Sequence, residues 1–268
     1  MPWSMGRPVV WPAVMAAVFA GCGPQPQEPR DPTPGADHFV VVSYNVELSE
    51  FGDLSTVEAI GAADADIVCL QEVSRGWEMV IEERYADRFP HMLIHAESGA
   101  GGLAVLSRWP LIDAGLWPGP GDGHAAWHVV VEAPGGPVQL LNVHLRPVFS
   151  GGGDPVASYF GVDQDHEKRI TELADSCATG LPTIVLGDFN EGTDGAAVEH
   201  LEALGFRNAL PLFHPGQETW HFPSLGGQLA ETIDHILFDG SFDPLDAWVV
   251  TRGDSDHWPV AAHLERVP

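Results

Sequence analysis

Five short apolar runs in this chain carry side chains that bind cations or move protons. They read SYNVE at 43–47, CLQEV at 69–73, LNVHL at 141–145, LGDFN at 186–190 and SDHWPV at 255–260. A sixth, TIDHILF at 232–238, runs the other way, with Asp234 and His235 near its start. Runs of this length, rich in Val, Ile and Leu, read as buried strands. A strand that ends in Asn, Glu, His or Asp places a polar group at one edge of a sheet. Several strands that do so, far apart in sequence, point to one shared site at that edge, because random surface polarity would not respect strand ends. The chain is thereby constrained to a sheet-based fold with one polar edge, and that edge is suited to metal-assisted hydrolysis.

The order of elements sets the class. A strand at 38–47 is followed by Ser55-Thr56-Val57-Glu58, a capping-box spacing that opens a helix through Ala63. A second buried strand, DIVCLQEV, leads to an amphipathic helix at 74–89, with Trp77, Val80, Ile81 and Tyr85 at helical spacing. Strands follow at 91–95 and 103–107. A hairpin then joins 127–132 to 138–144 around Ala133-Pro134-Gly135-Gly136-Pro137. Next come a helix at 164–177, a strand at 182–190 and a helix at 196–204 closed by Gly205. Strands at 232–238, 247–251 and 260–264 complete the chain. Strand–helix–strand units mixed with hairpins predict two mixed sheets with helices outside. There is also an internal echo. The strand ending in Asn45, a helix and the strand ending in Glu72 parallel the strand ending in His144, a helix and the strand ending in Asp188. Two such halves could pack sheet on sheet with their polar edges meeting.

Composition bounds the partners. The chain holds 38 Asp and Glu against 12 Lys and Arg, a formal net charge of −26, and Lys168 is its one lysine. Such a surface repels duplex DNA, whose binding rests on neutralising phosphates. Residues 1–21 read as a signal peptide, with Arg7 the sole charge before a 14-residue apolar run that is too short to span a bilayer comfortably. Phe19-Ala20-Gly21-Cys22 resembles a bacterial lipoprotein signal in which Cys22 is acylated; a plain signal peptide cut nearby is the alternative. Residues 22–37 hold five prolines and almost no apolar side chain, and read as an extended, unstructured tether. The folded domain is expected over 38–268. Cys69 and Cys177 read as free thiols.

The ordered set Asn45, Gln71-Glu72, Asn142-Val143-His144, Gly187-Asp188-Phe189-Asn190, Asp234-His235 and Ser255-Asp256-His257 resembles the endonuclease/exonuclease/phosphatase superfamily, over residues 38–264. Residues 101–108 look like that family's strand leading to a Ser-Arg corner. The resemblance implies a four-layer α/β sandwich and phosphoester hydrolysis that depends on Mg²⁺ or Mn²⁺. A divalent ion neutralises phosphoryl oxygens and lowers the pKa of bound water, and Mg²⁺ takes few carboxylates and keeps several waters. Glu72 is then the first metal ligand, Asn45 a neutral oxygen partner beside it and Asp256 a further ligand. By the same resemblance Asp188 orients or deprotonates the attacking water and Asn190 holds a phosphoryl oxygen. His257 would exchange a proton at the phosphate centre with its ring held by Asp234, and His144 would be a second phosphate-contacting donor. Phe189 should face away from Asp188 and Asn190, and His235 should point opposite to Asp234.

Each of these residues has a plainer role when taken singly. Glu72 could cap the helix that opens at Ser74, Asp188-Phe189-Asn190 could be a turn, and His257 could lie in a loop. Six such coincidences in family order are not expected together. His91, His95, His124, His128, His200, His214 and His221 match no motif and are expected to be structural or superficial. Arg108, Arg146 and Arg252 are candidates for steering phosphate. Stretches at 117–121 and 145–162 carry aromatic residues that could shape a pocket or anchor a loop. The expected function is a phosphodiesterase or phosphatase, acting as a monomer on a small-molecule or lipid phosphoester and meeting the membrane only through its lipid anchor. A nuclease acting on DNA or RNA, and a non-catalytic binding lipoprotein, are the alternatives.

Overall fold

The computed structural model describes residues 25–117, 124–147, 155–224 and 227–268. In chain order it holds β1 (His38–Asn45), α1 (Leu54–Ile60), β2 (Ile67–Gln71), α2 (Arg75–Tyr85), β3 (His91–His95), β4 (Leu103–Ser107) and β5 (Leu111–Trp117). Next are β6 (Ala126–Ala133), β7 (Gly136–His144), α3 (Pro155–Ser176), β8 (Thr183–Asp188), α4 (Ala196–Ala203), β9 (Arg207–Asn208) and α5 (Ala209–Phe213). The last are β10 (Trp220–Ser224), β11 (Gly227–Glu231), β12 (Asp234–Phe238), β13 (Phe242–Val249) and β14 (Val260–Arg266).

Two six-stranded mixed sheets form, in the orders β13-β14-β1-β2-β4-β3 and β5-β6-β7-β8-β12-β9, and β10 pairs β11 in a separate hairpin. The echo seen in the sequence is a real repeat of topology. β1 and β2 are parallel around α1, as β7 and β8 are around α3, and each pair is flanked on both sides by antiparallel strands.

Alternation along the strands builds the layers. Phe39, Val41, Ile67, Cys69, Leu140, Ile184, Leu186 and Ile236 interleave between the two sheets. Val42, Tyr44, Val68 and Leu70 turn outward onto Val57 and Ile60 of α1 and Trp77 and Ile81 of α2. Leu141, Val143, Val185 and Leu237 turn outward onto Ile170 and Leu173 of α3 and Val198 and Leu201 of α4. The result is the helix–sheet–sheet–helix sandwich. Among the described residues no helix is long and apolar enough to cross a membrane. Cys69 and Cys177 are free thiols, as expected.

Local expectations are corrected in several places. The cap of α1 is Asp53, whose Oδ1 accepts the Thr56 N–H, rather than Ser55. α3 begins at Pro155, well before residue 164. β13 begins at Phe242 and carries an irregularity between Pro244 and Asp246, which an edge strand tolerates because proline has no N–H to give to the ladder. The residues before β1 are not a free tether from Gln27 onward. The Gln27 N–H donates to the Leu212 carbonyl at 2.7 Å and the Arg30 N–H to the Leu245 carbonyl at 3.0 Å. Thr33 bonds the Glu265 carboxylate through both its N–H and its hydroxyl, and Arg30 lies 3.4 Å from the same group. The Thr33 N–H first, with the Arg30 charge adding to it, holds the Glu265 carboxyl below its ordinary value. Prolines suit such a strap, since they lose little conformational freedom when it docks. Cys22, with residues 1–24, lies outside the described residues, as do most of the side chains of the 145–162 stretch.

Candidate active site

Period-two geometry delivers the polar groups to one place. Asn45 follows Phe39, Val41 and Ser43 on the inter-sheet face of β1, and His144 follows Leu140 and Asn142 on that face of β7. Asp188 follows Ile184 and Leu186 on β8. β12 runs antiparallel to β8, so its first residue, Asp234, pairs directly with Asp188. Just beneath, the Gln71 side-chain N–H donates to Asn142 Oδ1 at 2.7 Å, and Asn142 Nδ2 donates to the Leu70 and Ala104 carbonyls at 3.1 Å each. That buried amide pair locks the two sheets together where the site begins.

Glu72 and Asn190 reach the site by another route. Glu72 follows Leu70 in parity and would face α2 if the strand continued. Its φ of +62° breaks the alternation and turns the carboxylate inward. Asn190 has φ +51° at the end of LGDFN. Left-handed backbone at non-glycine residues costs on the order of 1–3 kcal/mol each and gathers at functional positions. Gly187 has φ +147°, and a Cβ there would lie 1.8 Å from the Val143 carbonyl oxygen, so the parallel pairing of β7 and β8 requires glycine in that motif.

The site residues form one connected network. Asn45 Nδ2 donates to Glu72 Oε1 at 3.2 Å and to Asp188 Oδ2 at 3.0 Å, while its Oδ1 accepts the Glu47 N–H at 3.0 Å. Asn45 thus shows its amide nitrogen, and not its oxygen, to the carboxylates. Glu72 Oε2 accepts the Leu48 N–H at 3.0 Å, and Trp77 Nε1 steadies that loop through the Glu47 carbonyl at 3.0 Å. The Asn190 N–H donates to Asp188 Oδ1 at 2.9 Å. His144 donates from Nδ1 to the Ala100 carbonyl at 2.9 Å, which leaves Nε2 facing Asp188 Oδ2 at 3.4 Å. His257 Nδ1 bonds Asp234 Oδ2 at 2.9 Å, and its Nε2 stands 3.7 Å from Asp188 Oδ2 and 3.9 Å from Asp256 Oδ1.

Three supporting groups hold these residues in place; Thr219 and Trp220 had no motif to reveal them, while Ser255 belongs to the SDH motif itself. Thr219 donates its hydroxyl to Asp234 Oδ2 at 2.7 Å and accepts the Asp234 N–H. Ser255 donates to the Asn45 carbonyl at 2.8 Å and accepts the His257 N–H at 3.1 Å, tying the start of the SDH motif to β1. Trp220 Nε1 holds Asp256 Oδ2 at 2.9 Å.

Burial raises the Asp188 carboxyl to about 7, with the Asp234 charge adding to it and the His257 charge opposing. Burial alone would lower His257, but the Asp234 and Asp188 charges outweigh it and raise the ring to about 10. Both shifts draw on the same groups. We assign the anion that keeps His257 protonated to Asp234, which bonds it at 2.9 Å, rather than to Asp188 at 3.7 Å. His144 is lowered by burial, against the Glu72 charge. At neutral pH the arrangement therefore offers a proton donor at His257 Nε2 and a carboxylate able to accept a proton at Asp188.

The donor set fits a divalent cation. Glu72, Asp188, Asp234 and Asp256 crowd one edge, and among the described residues no ion pair joins any of them to an arginine or lysine. Excess anionic oxygen of this kind suits a hard ion. Two loci could hold it: the half-buried Glu72 beside Asn45, or ligand atoms of Asp188, Asp234 and His257, which lie within 4.8 Å of one another. Both Asp234 oxygens already face His257 Nδ1, and one also accepts from Thr219, so Glu72 is the freer carboxylate.

The remaining expected residues divide. His235 points away from Asp234, to Asn208 and the Glu191 carbonyl, and meets Phe189 edge-on in the outer layer. Arg146 lies at the margin and pairs with Asp165 at 2.8 Å. Arg252 is exposed, close to the site end of β13. Arg108 is a correction. β4 runs antiparallel to β2 with Leu103 opposite Gln71 and Ser107 opposite Ile67, so Arg108 emerges at the far end of the sheet and pairs with Asp64 and Asp66.

Several solved structures share the fold. An endonuclease/exonuclease/phosphatase protein from Beutenbergia cavernae superposes with a TM-score of 0.63 at 18% identity, covering 86% of this chain and 72% of its own. TDP2 from D. rerio, complexed with single strand DNA product, gives 0.62 at 16%, covering 85% and 98%. A beta toxin structure from Staphylococcus aureus gives 0.66 at 16%, covering 84% and 99%. Comparison of the sequence with curated proteins gives no match. The family model described as Endonuclease/Exonuclease/phosphatase family matches residues 42–257, a span that opens on the strand bearing Asn45 and closes on His257, and the chain belongs to that family.

Proposed function

We propose that this chain is a divalent-metal-dependent phosphoester hydrolase that acts, as a monomer outside the cytoplasm, on a small-molecule or lipid phosphoester. The observation that carries the reading is the unbroken network Glu72–Asn45–Asp188–His257–Asp234, drawn from five strands or strand ends. Mg²⁺ or Mn²⁺, held by Glu72 with Asn45 and Asp256 nearby, would neutralise the phosphoryl oxygens. Asp188 would orient the attacking water and take its proton. Asn190 would hold a phosphoryl oxygen, and His144 would do so only with its ring protonated, since its Nδ1 proton already goes to the Ala100 carbonyl. His257 would give a proton toward the leaving oxygen while Asp234 fixes its ring. The net charge of −26 favours a compact phosphoester over a nucleic acid backbone. A nuclease remains the second reading, supported by the likeness to a protein captured with a DNA product.

The test is a hydrolysis screen with Mg²⁺ and with Mn²⁺ over plasmid DNA, RNA, sphingomyelin, inositol phosphates and a chromogenic phosphodiester. Turnover of the small or lipid esters, lost on chelation, is the expected result. Turnover confined to DNA or RNA would replace this reading with the nuclease. No turnover of any substrate would leave a non-catalytic binding protein.

The location rests on the signal-like run and Cys22. Expressed in a bacterial host, the protein should partition with membranes, and Cys22→Ser should release it. Unchanged partition after that substitution would remove the lipid anchor from the proposal.

A further inference from the structure

A buried, hydrogen-bonded His–Glu pair that takes no part in the proposed chemistry joins α3 to the loop after β8. His166 Nδ1 lies 2.9 Å from Glu191 Oε2, and the two side chains are only 3% and 6% exposed. Their other contacts reach the site from two sides. His166 Nε2 donates to the Arg146 carbonyl at 2.8 Å, two residues beyond His144. Asp165, next to it on α3, holds the Arg146 guanidinium. Glu191 directly follows Asn190, and its Oε1 accepts the Val198 N–H at 2.9 Å. Glu191 thereby serves the N-terminus of α4, whose N-cap is Gly195 with no side chain to offer. A Cβ at Gly195 would lie 2.4 Å from the Glu191 carboxyl carbon, so only glycine leaves room for this contact. Asn190 Nδ2 donates to the Leu145 carbonyl at 2.8 Å, which closes a loop of contacts through Leu145, Arg146, His166 and Glu191 back to Asn190.

Fold stability alone does not call for such a pair. Well-packed apolar residues of similar volume are often as stabilising as a buried polar or ionic pair, whereas removing one partner is costly. What a bonded pair adds is a fixed distance between the segments it joins. We infer that His166 and Glu191 are a positioning pair that sets the Arg146 segment against Asn190, so that both meet the same substrate phosphoryl group. The inference rests on the phosphoester hydrolase reading. Neither residue touches the substrate. Both act through the two groups they hold, and a displacement of about 1 Å in such groups can cost on the order of a hundredfold in rate.

The experiment compares His166→Gln and Glu191→Gln with the parent protein, each alone and on an Arg146→Ala background. Steady-state kinetics with a chromogenic phosphodiester and amide hydrogen exchange are the readouts. Glu191→Gln keeps the volume and an acceptor for the Val198 N–H, so it guards against a variant that fails to fold. The expected result is a KM about tenfold higher with a smaller change in kcat, and little further loss once Arg146 is alanine. Exchange should quicken around 145–147 and 189–192 but not around 255–260. Unchanged KM in an active, folded variant would overturn the inference and leave the hydrolase reading standing. So would exchange that quickens throughout the domain in step with a lower melting temperature, which is the mark of a purely structural pair. If the parent hydrolyses no phosphoester, the hydrolase reading fails, and exchange alone decides whether the pair braces these two segments.

Discussion

Replacing His257 with alanine is expected to lower turnover by about a hundredfold or more, the usual scale for a general acid or base, while the protein stays folded. Asp234→Asn should cost a similar amount, although the Asp234 carboxylate is fully buried. The double variant should be little worse than His257→Ala alone, because residues that act as a unit show non-additive losses. The geometry gives the reason. Asp234 faces His257 Nδ1 with both oxygens, at 2.9 and 3.1 Å, and gives what remains to Thr219, so its influence on a substrate passes through the ring. The measurement is turnover of the two single variants and the double variant, beside their melting temperatures. Additive losses would mean that Asp234 also reaches the phosphate or a cation on its own. Full activity in a folded His257→Ala protein would remove proton donation from the proposed chemistry. Activity that merely tracks the unfolded fraction would make the pair structural.

Much of this site was legible because strands impose a period of two. A residue two places beyond a core position shares its face, so Asn45, His144 and Asp188 could be assigned to the inter-sheet side from their neighbours alone, and Phe189 and His235 to the other. The repeat of strand, helix and strand was legible for the same reason. Direction was not. Nothing in LAVLSR tells that β4 runs antiparallel to β2, and that one fact carries Arg108 away from the site to pair with Asp64 and Asp66. Glu72 was named from its strand-end motif; alternation would turn it outward, and its left-handed backbone turns it inward beside Asn45.

The elements that escaped the sequence reading are those in which tertiary contacts override local pattern. α5 is five residues long and contains Pro211, too short for a helical period to show. β10 carries Pro223, and the β10–β11 hairpin stands apart from both sheets. β5 is an edge strand whose exposed stretch is Ile112, Asp113 and Ala114, followed by Gly115. Thr219, which completes the Asp234–His257 pair, lies just before that hairpin and is separated from Asp234 by it, so neither spacing nor composition marks it. The strap at 27–36 reads as loose chain by composition, yet backbone N–H groups and one carboxylate seat it on β13, β14 and α5.

Glu72→Gln is expected to weaken Mg²⁺ or Mn²⁺ binding by about a hundredfold or more and to abolish most activity, with the fold intact. The charge is what the substitution removes. Coulomb attraction between unit charges at 4 Å is about 4 kcal/mol at an effective dielectric of 20, and a hundredfold loss of affinity corresponds to about 2.8 kcal/mol. Glu72 is half-buried, and among the described residues its oxygens hydrogen-bond the Asn45 amide and the Leu48 N–H and no arginine or lysine pairs with it. The amide of the substituted side chain would also bring an N–H₂ toward one of those two donors, so the melting temperature must be read alongside. Calorimetry of the parent, Glu72→Gln and Asp234→Asn then separates the two places where a cation could sit. If Glu72 holds it, Glu72→Gln loses affinity while Asp234→Asn keeps most of it and fails only in turnover. Wild-type affinity in Glu72→Gln together with lost affinity in Asp234→Asn would move the ion to Asp188, Asp234 and His257. His257 would then be a ligand and would not be the proton donor to the leaving group.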